Sequence, residues 1–537
     1  MYLHRVLILI AGLCLFAGLG ARPSCAAELI DEGFIAAQEG MLSQAGSALR
    51  QIGLRKAAET GPLADLVRDR QGVEERLREA SLAMAKAGAD RIGLAGQIDG
   101  LNAELGALDR KLAEGFPRYA ELTRPKPLTI AEVQALLAPD EALIFTFIGE
   151  TYSFVWAISP TRSGWHRVNA VRDHVAEAVA KLRLQLDPNS VTRGAASLEE
   201  NADEAPQGPA FDRRLAGMLY DVFLAVLEPV FGEAAHVYVV TDGPLTSLPF
   251  GLLVAGAYDG ADDDPEALRA TPWMIRRYAL TNLPSVESLA VVKQLPPAAE
   301  NRPVLAAYGD PVFAGGGSLS GVTRGAALVA GGLADVDRLR GLPPLPATRR
   351  ELLSIAETLK ADRATVHLGA EATEAAVKQG IGPAQVVAFA THGLLSGELQ
   401  GLAEPALVLT PPEKASKLDD GLLTASEIID LKLDADWVLL SACNTAGGSE
   451  PGAEGLSGLA RAFLFAGARS IVVSHWPVRD DAAARLTTHA LSIYAGGAVR
   501  RAEALRQSML SVMEDENDPT LAHPSAWAPF VIVGQGG

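Results

Sequence analysis

The sequence predicts an α/β fold: a mostly parallel sheet with helices on both faces, preceded by a helical hairpin region. Two observations carry that expectation. From about residue 300, short continuous apolar runs alternate with segments of helical period, the pattern of strands buried on both faces between covering helices. Before Pro125-Lys-Pro127, β-branched residues are sparse and apolar positions recur every three or four residues, which is helix without strand.

The first element is not part of that fold. Met1-Tyr-Leu-His-Arg5 is a short basic start, Val6 to Leu19 is unbroken apolar and small, and Ala21-Arg-Pro-Ser-Cys-Ala-Ala27 offers small residues for cleavage near Ala26 or Ala27. That is the layout of a secretory signal peptide, and its apolar run falls short of the roughly 20 residues a spanning helix needs. Arg22-Pro23-Ser24 before Cys25 disfavours a lipoprotein signal. The protein is expected to be exported, periplasmic or secreted, and to meet a membrane only through an uncleaved signal.

From Glu28 to about Pro125, Leu94, Ile98, Leu101, Leu105, Leu108 and Leu112 form one apolar stripe, and Leu63, Leu66, Val73 and Leu77 form another. These predict an antiparallel helical hairpin with Gly88 and Gly93 near its turn. No 34-residue self-similarity marks a helical repeat. Next, Ala142–Ile148 and Tyr152–Ile158 read as a strand pair joined at Gly149-Glu150. Asp187–Pro209 reads as a polar, acidic loop, Phe211–Phe231 as a helix, and His236–Val240 as a strand. A second acidic loop covers Asp259–Glu266 and a Gly-rich one Gly315–Gly321. Strands follow at Val304–Ala307, Val386–Ala390, Ala406–Leu409, Trp437–Leu440, Ser470–Ser474 and Phe530–Val533. Helices are expected at Ala347–Lys360, Thr373–Gln379, Gly455–Ala466, Asp481–Tyr494 and Arg501–Glu514.

Composition limits the partners. The chain has 537 residues and a formal net charge of −18, and losing Arg5 and Arg22 with the signal makes it more acidic still. Nucleic acid and anionic membrane surfaces are therefore poor partners. Cys14 and Cys25 leave with the signal, so Cys443 remains alone and no intramolecular disulfide can form. A lone exported thiol is either a small buried hydrophobe or a reactive group.

Position distinguishes Cys443. Ligands in α/β sheets bind beyond the carboxyl ends of strands. Val386-Val-Ala-Phe-Ala-Thr-His392-Gly393 and Trp437-Val-Leu-Leu-Ser-Ala-Cys443 place an imidazole and a thiol at two such ends. A thiol of ordinary pKa needs a base to become a nucleophile at neutral pH. His475 is a rival base at the end of Ile471-Val-Val-Ser, but proline follows two residues later, whereas Gly393 beside His392 offers an N–H to a developing oxyanion. A hydrogen-bonded histidine at the sheet rim is the bland alternative. His236 begins its strand, at the wrong end of the sheet. HExxH and GxxxxGK[ST] are absent, and Gly455-Leu-Ser457-Gly458 misses the serine nucleophile elbow by one position. No cofactor and no metal are expected.

Ala390-Thr-His-Gly393, Asp420-Gly-Leu-Leu-Thr-Ala-Ser-Glu-Ile428, Ser441-Ala-Cys443, Gly455-Leu-Ser-Gly-Leu-Ala-Arg-Ala-Phe463, Ala466-Gly-Ala-Arg-Ser470 and Trp527-Ala-Pro-Phe530 occur in that order. As a set they resemble the CHAT family of caspase-like domains, often attached to tetratricopeptide repeats. Asp242-Gly-Pro-Leu245, Leu248-Pro-Phe250 and Leu345-Pro-Ala-Thr-Arg-Arg350 extend the likeness upstream, to cover roughly Leu128 to Gly537. The resemblance implies a caspase/separase-like sheet and a His392–Cys443 dyad, with Gly393 and the Cys443 N–H as oxyanion hole. Asn444 stands where many relatives carry an acid. Asp420, Asn444 and Asp481 are candidate substrate-pocket residues, although a turn residue and a helix N-cap are simpler uses of the two acids. The expected domains are 1–27 signal, 28–125 helical connector, 126–300 degenerate first half and 301–537 catalytic half. The function expected is an exported cysteine endopeptidase acting on a protein or peptide substrate; a non-catalytic interaction module on the same fold is the alternative.

Overall fold

A computed structural model describes residues 30–41, scattered positions between 62 and 80, and residues 91–115, 126–187, 210–295, 297–313, 329–330, 333–345, 348–394, 405–441, 455–476, 478–497 and 499–537. The signal segment, Gly88, most of the Asp187–Pro209 loop, Gly315–Gly321, Cys443 and Asn444 lie outside these residues. The chain divides into two compact units, residues 44–126 and the remainder.

In the smaller unit helix α2 (Arg91–Gly115; α1 belongs to the larger unit) buries Leu101, Leu105 and Leu108 against Val73 and Ala80. Arg70 pairs with Asp109 at 2.7 Å and Arg76 with Glu104 at 3.0 Å, so the two runs lie antiparallel.

The larger unit is built on strands β1 (Glu141–Ile148), β2 (Ser153–Ile158), β3 (Ser163–Val168), β4 (His236–Val240), β5 (Ala279–Asn282), β6 (Leu305–Gly309), β7 (Val329–Ala330) and β8 (Leu333–Ala334). There follow β9 (Val366–Leu368), β10 (Val386–Ala390), β11 (Gly393–Leu394), β12 (Ala406–Val408), β13 (Leu422–Thr424), β14 (Trp437–Ser441), β15 (Ser470–Ser474) and β16 (Phe530–Gly534). Eleven of these, among the described residues, form one sheet in the order β3-β2-β1-β4-β5-β16-β15-β14-β10-β6-β9. The pairs β1–β4, β4–β5, β15–β14, β14–β10, β10–β6 and β6–β9 are parallel.

Side-chain alternation splits the core into two layers. Ile144, Val237, Val239, Ala388, Ala390 and Leu439 face one side, with helices α4 (Arg172–Leu186), α5 (Arg213–Phe223), α6 (Thr348–Leu359), α9 (Asp480–Ala495) and α10 (Arg501–Met513). Leu143, Phe145, Val240, Val387, Phe389, Val438 and Leu440 face the other, with α1 (residues 30–41), α3 (Ile130–Leu136), α7 (Glu374–Gly380) and α8 (Gly455–Ala466). This is a mixed α/β fold with a large, mostly parallel sheet covered on both faces. Among the described residues no helix is long and apolar enough to cross a membrane.

Local differences from expectation have local causes. The helix expected over Phe211–Phe231 ends at Phe223, continues as a 3-10 turn over Ala225–Leu227, and restarts at Glu228 with Pro229 in its first turn. The acidic stretch 259–266 is ordered rather than a plain loop. The fully buried Arg213 guanidinium donates to Asp262 at 2.7 Å and to the carbonyls of Asp259, Gly260 and Ala267, and Asp264 caps a short helix, Pro265–Ala270. β14 extends one residue past Leu440, to Ser441.

Candidate active site

β10 sits between β6 and β14, and its last residue, Ala390, lies level with Gly309 on one side and Ser441 on the other. The strands are short apolar runs because both of their faces are buried. His392 and Cys443 each follow that level by two residues in the sequence.

Beyond Ala390 the chain is held by β12. The Thr391 hydroxyl donates to the Val408 carbonyl, and the Val408 N–H donates to the His392 carbonyl at 2.9 Å. Gly393 then pairs with Leu407 in the antiparallel β11–β12 ladder. Because the ladder bond runs from Val408 to His392, Gly393 and Leu407 form a non-hydrogen-bonded pair. The ladder therefore makes no use of the Gly393 N–H.

The His392 ring is 5% exposed and lies 5.5 Å, centroid to centroid, from the Phe313 ring. Its Nε2 is 2.8 Å from the Pro343 carbonyl oxygen. A carbonyl only accepts, so Nε2 carries the proton and Nδ1 presents its lone pair. Burial lowers the imidazole pKa, and the Pro343 hydrogen bond opposes that shift in part. The resting ring is a neutral base of fixed tautomer.

On β14 the Ser441 hydroxyl donates to Glu351 Oε2 at 2.8 Å. Glu351 stands in the first turn of α6, whose Leu352, Ile355 and Ala356 bury against the same face of the sheet as Ala390 and Leu439. Cys443 and Asn444 themselves lie outside the described residues.

The remaining candidates are spread around the rim. Asp420 accepts the backbone N–H of Ala334 at 2.8 Å through Oδ2 and that of Leu422 at 3.0 Å through Oδ1. Oδ2 thus ties the turn before β13 to β8, while Oδ1 holds the first residue of β13. Asp481 is 56% exposed at its side chain and is gripped by Arg479, which bonds its two oxygens at 3.0 and 2.6 Å and also reaches Asp518 at 2.8 Å. Those bonds hold the Asp481 carboxyl below its usual range. Arg479 occupies the N-cap and the helix starts at Asp480, so Asp481 is a first-turn acid rather than the cap expected from sequence.

His475 and His236 differ from His392 in setting. His475 is 1% exposed, and neither ring nitrogen has a hydrogen-bond partner among the described residues. Burial, with the Arg183 charge adding to it, pushes its pKa down to about 3. It is sealed inside the protein, where no substrate reaches it. His236 starts β4, with Nε2 2.7 Å from Thr281 Oγ1 and Nδ1 3.6 Å from Glu141.

Pro343 and Glu351 were missed by reasoning from sequence. Pro343 acts through a backbone carbonyl, which no residue type advertises, and Glu351 sits one residue past the Leu345–Arg350 run already singled out. Glu374 was missed too: its Oε2 accepts the Asp420 and Gly421 N–H groups at 2.7 and 3.0 Å.

The CHAT domain model matches residues 213–535. Tetratricopeptide repeat protein 28 of Mus musculus is 28% identical over 365 residues, which is 59% of this chain and 13% of that protein. Its Homo sapiens counterpart is 28% identical over 359 residues, with the same coverages of 59% and 13%. The chain thus spans only 13% of the length of these curated relatives. A crystal structure of the Saccharomyces cerevisiae separase–securin complex aligns with a TM-score of 0.41 at 11% identity, covering 98% of this chain and 42% of that one.

Proposed function

The chain belongs to the CHAT domain family, and from that premise we propose that it is a cysteine endopeptidase in which Cys443 is the nucleophile and His392 the base. His392 Nδ1 takes the thiol proton and the thiolate attacks a peptide carbonyl. The Gly393 N–H, with that of Cys443, receives the oxyanion. The imidazolium then protonates the leaving amine as the thioester forms, and water releases the acid in the reverse sequence.

One observation carries this reading. β10 and β14 are adjacent, parallel and level at Ala390 and Ser441, while the His392 proton is committed to Pro343 and leaves the other ring nitrogen as acceptor. Desolvation keeps that nitrogen unprotonated at neutral pH, as a base must be. Of the pocket candidates, Asp420 supports a structural use, since backbone donors occupy both its oxygens. Asp481 would have to release Arg479 to meet a cationic side chain. We also assign the protein to the exported class, acting on a protein or peptide once the signal is removed near Ala26 or Ala27.

The test is a peptide-library cleavage profile on the purified mature protein. Cys443→Ala should abolish cleavage, and His392→Ala should cut the rate by about 10²–10⁴. Equal cleavage by the Cys443→Ala protein sinks the assignment. The second reading, an interaction module without catalysis, draws on the 5% exposure of His392. It predicts no iodoacetamide labelling of Cys443 until the protein is denatured. The peptidase predicts selective labelling of the folded protein, lost in His392→Ala.

A further inference from the structure

One short stretch of chain touches both strand ends from which the dyad residues follow. The Pro343 carbonyl accepts a hydrogen bond from His392 Nε2, and eight residues later Glu351 accepts one from the Ser441 hydroxyl, each at 2.8 Å. The stretch is itself anchored. Arg349 Nε bonds Asp310 Oδ2 at 2.7 Å, and the Asp310 N–H donates to the Ala390 carbonyl at 3.3 Å. Leu352 and Ile355 are 1% exposed against the sheet. The first turn of α6 is therefore fastened at the carboxyl ends of β6, β10 and β14 together.

β14 needs such a fastening. Its register with β15 ends at Leu440, while that with β10 runs on to Ser441. At its last residue the strand has lost one neighbour, and the Glu351 hydrogen bond stands on the exit of the chain.

We propose that Glu351 is a positioning residue. Through Ser441 its carboxylate fixes where β14 releases the segment that reaches Cys443 two residues on, and so sets the spacing of thiol and imidazole. The proposal rests on reading Cys443 and His392 as a dyad. The role is geometric: a carboxylate near a thiol disfavours the thiolate, so charge alone would slow the nucleophile. Misplacing reacting groups by about 1 Å costs up to about a hundredfold in rate.

The experiment compares Glu351→Ala, Glu351→Gln, Ser441→Ala and the double variant Glu351→Ala/Ser441→Ala. It measures kcat, KM, the pH midpoint of Cys443 alkylation by iodoacetamide, and the melting temperature. Each alanine variant should lose about ten- to a hundredfold in kcat with KM within about twofold. The double variant should lose less than the product of the two single losses, because the hydrogen bond they share is counted once. Glu351→Gln keeps an oxygen that accepts the hydroxyl and should recover most of the rate, with the alkylation midpoint unmoved. Wild-type kcat in Glu351→Ala, multiplicative losses in the double variant, or a Gln variant as poor as Ala with a shifted midpoint would each overturn the proposal. Failure of the dyad reads differently: wild-type protein that neither cleaves peptide nor alkylates faster than His392→Ala removes the dyad, and the positioning role with it.

Discussion

His392 is prepared by the bond it makes away from the crevice. A proton committed to the Pro343 carbonyl fixes the tautomer, and burial keeps the ring neutral. The same physics gives the protein a pH dependence. His392 and His475 both have lowered pKa values in the folded protein, His475 at about 3, against about 6.5 unfolded. Below pH 6.5 the unfolded chain binds protons that these folded rings refuse. Their effect on stability is therefore nil above about pH 6.5 and turns increasingly unfavourable as pH falls toward 3. Thermal melts of the protein and of His475→Leu between pH 7.5 and 5 should show a shallower decline in the variant. Parallel profiles would mean that His475 does not titrate as its burial implies. At this scale the sequence singles out His392, Cys443 and Gly393 as candidates because they follow apolar strands directly. Pro343 was not, because its contribution is a backbone carbonyl delivered across the fold.

At the scale of elements, close packing sets what each strand end can do. α6 lies so near β6 that a Cβ at Gly309 would stand 2.6 Å from Leu352 Cδ1 and 2.7 Å from the Ala390 carbonyl oxygen. That oxygen belongs to the backbone of β10 and cannot swing aside. Gly309→Ala should therefore destabilise the protein by about 1–3 kcal/mol, read as a lower denaturation midpoint. An unchanged midpoint would mean that α6 rides loosely on the sheet. The turn before β13 shows how a motif can be structural. Glu374 accepts two buried N–H groups there, and Asp420 accepts two more. Glu374→Ala orphans its pair at about 1–3 kcal/mol each, whereas Glu374→Gln keeps an acceptor and should cost less; equal melting temperatures for the two variants would contradict this. The sequence marked Asp420-Gly-Leu-Leu-Thr as important, but only its contacts show that the carboxylate is spent on backbone.

Over the whole larger unit, ion pairs stand at both ends of the strands. Arg302 and Arg501 on Asp436, Arg469 on Asp434, and Arg500 on Asp140 gather where strands begin, while Arg349 on Asp310 stands just beyond β6, beside the end of β10 that leads into His392. Residues 30–41 also belong to this unit. Phe34 is fully buried with its ring centroid 5.7 Å from Phe145 and 5.9 Å from Trp156, and Gln38 exchanges two hydrogen bonds with the Leu128 backbone. Phe34→Ala should cost about 3–5 kcal/mol, a drop in stability that denaturant unfolding would detect. A loss under 1 kcal/mol would show that this helix is not part of the core. Nothing in the sequence separated Phe34 from the hairpin that follows, because its partners lie more than a hundred residues away.

Periodicity and strand-end motifs by themselves determined the α/β class, the buried parallel strands and the family, because burial on two faces imposes a pattern along the chain. Which strands are neighbours, that Ala390 and Ser441 stand level, and which carbonyl and carboxylate hold those ends were decided only in three dimensions. Those relations join residues distant in sequence, and hydrogen bonds to backbone atoms or across layers leave no mark on residue type.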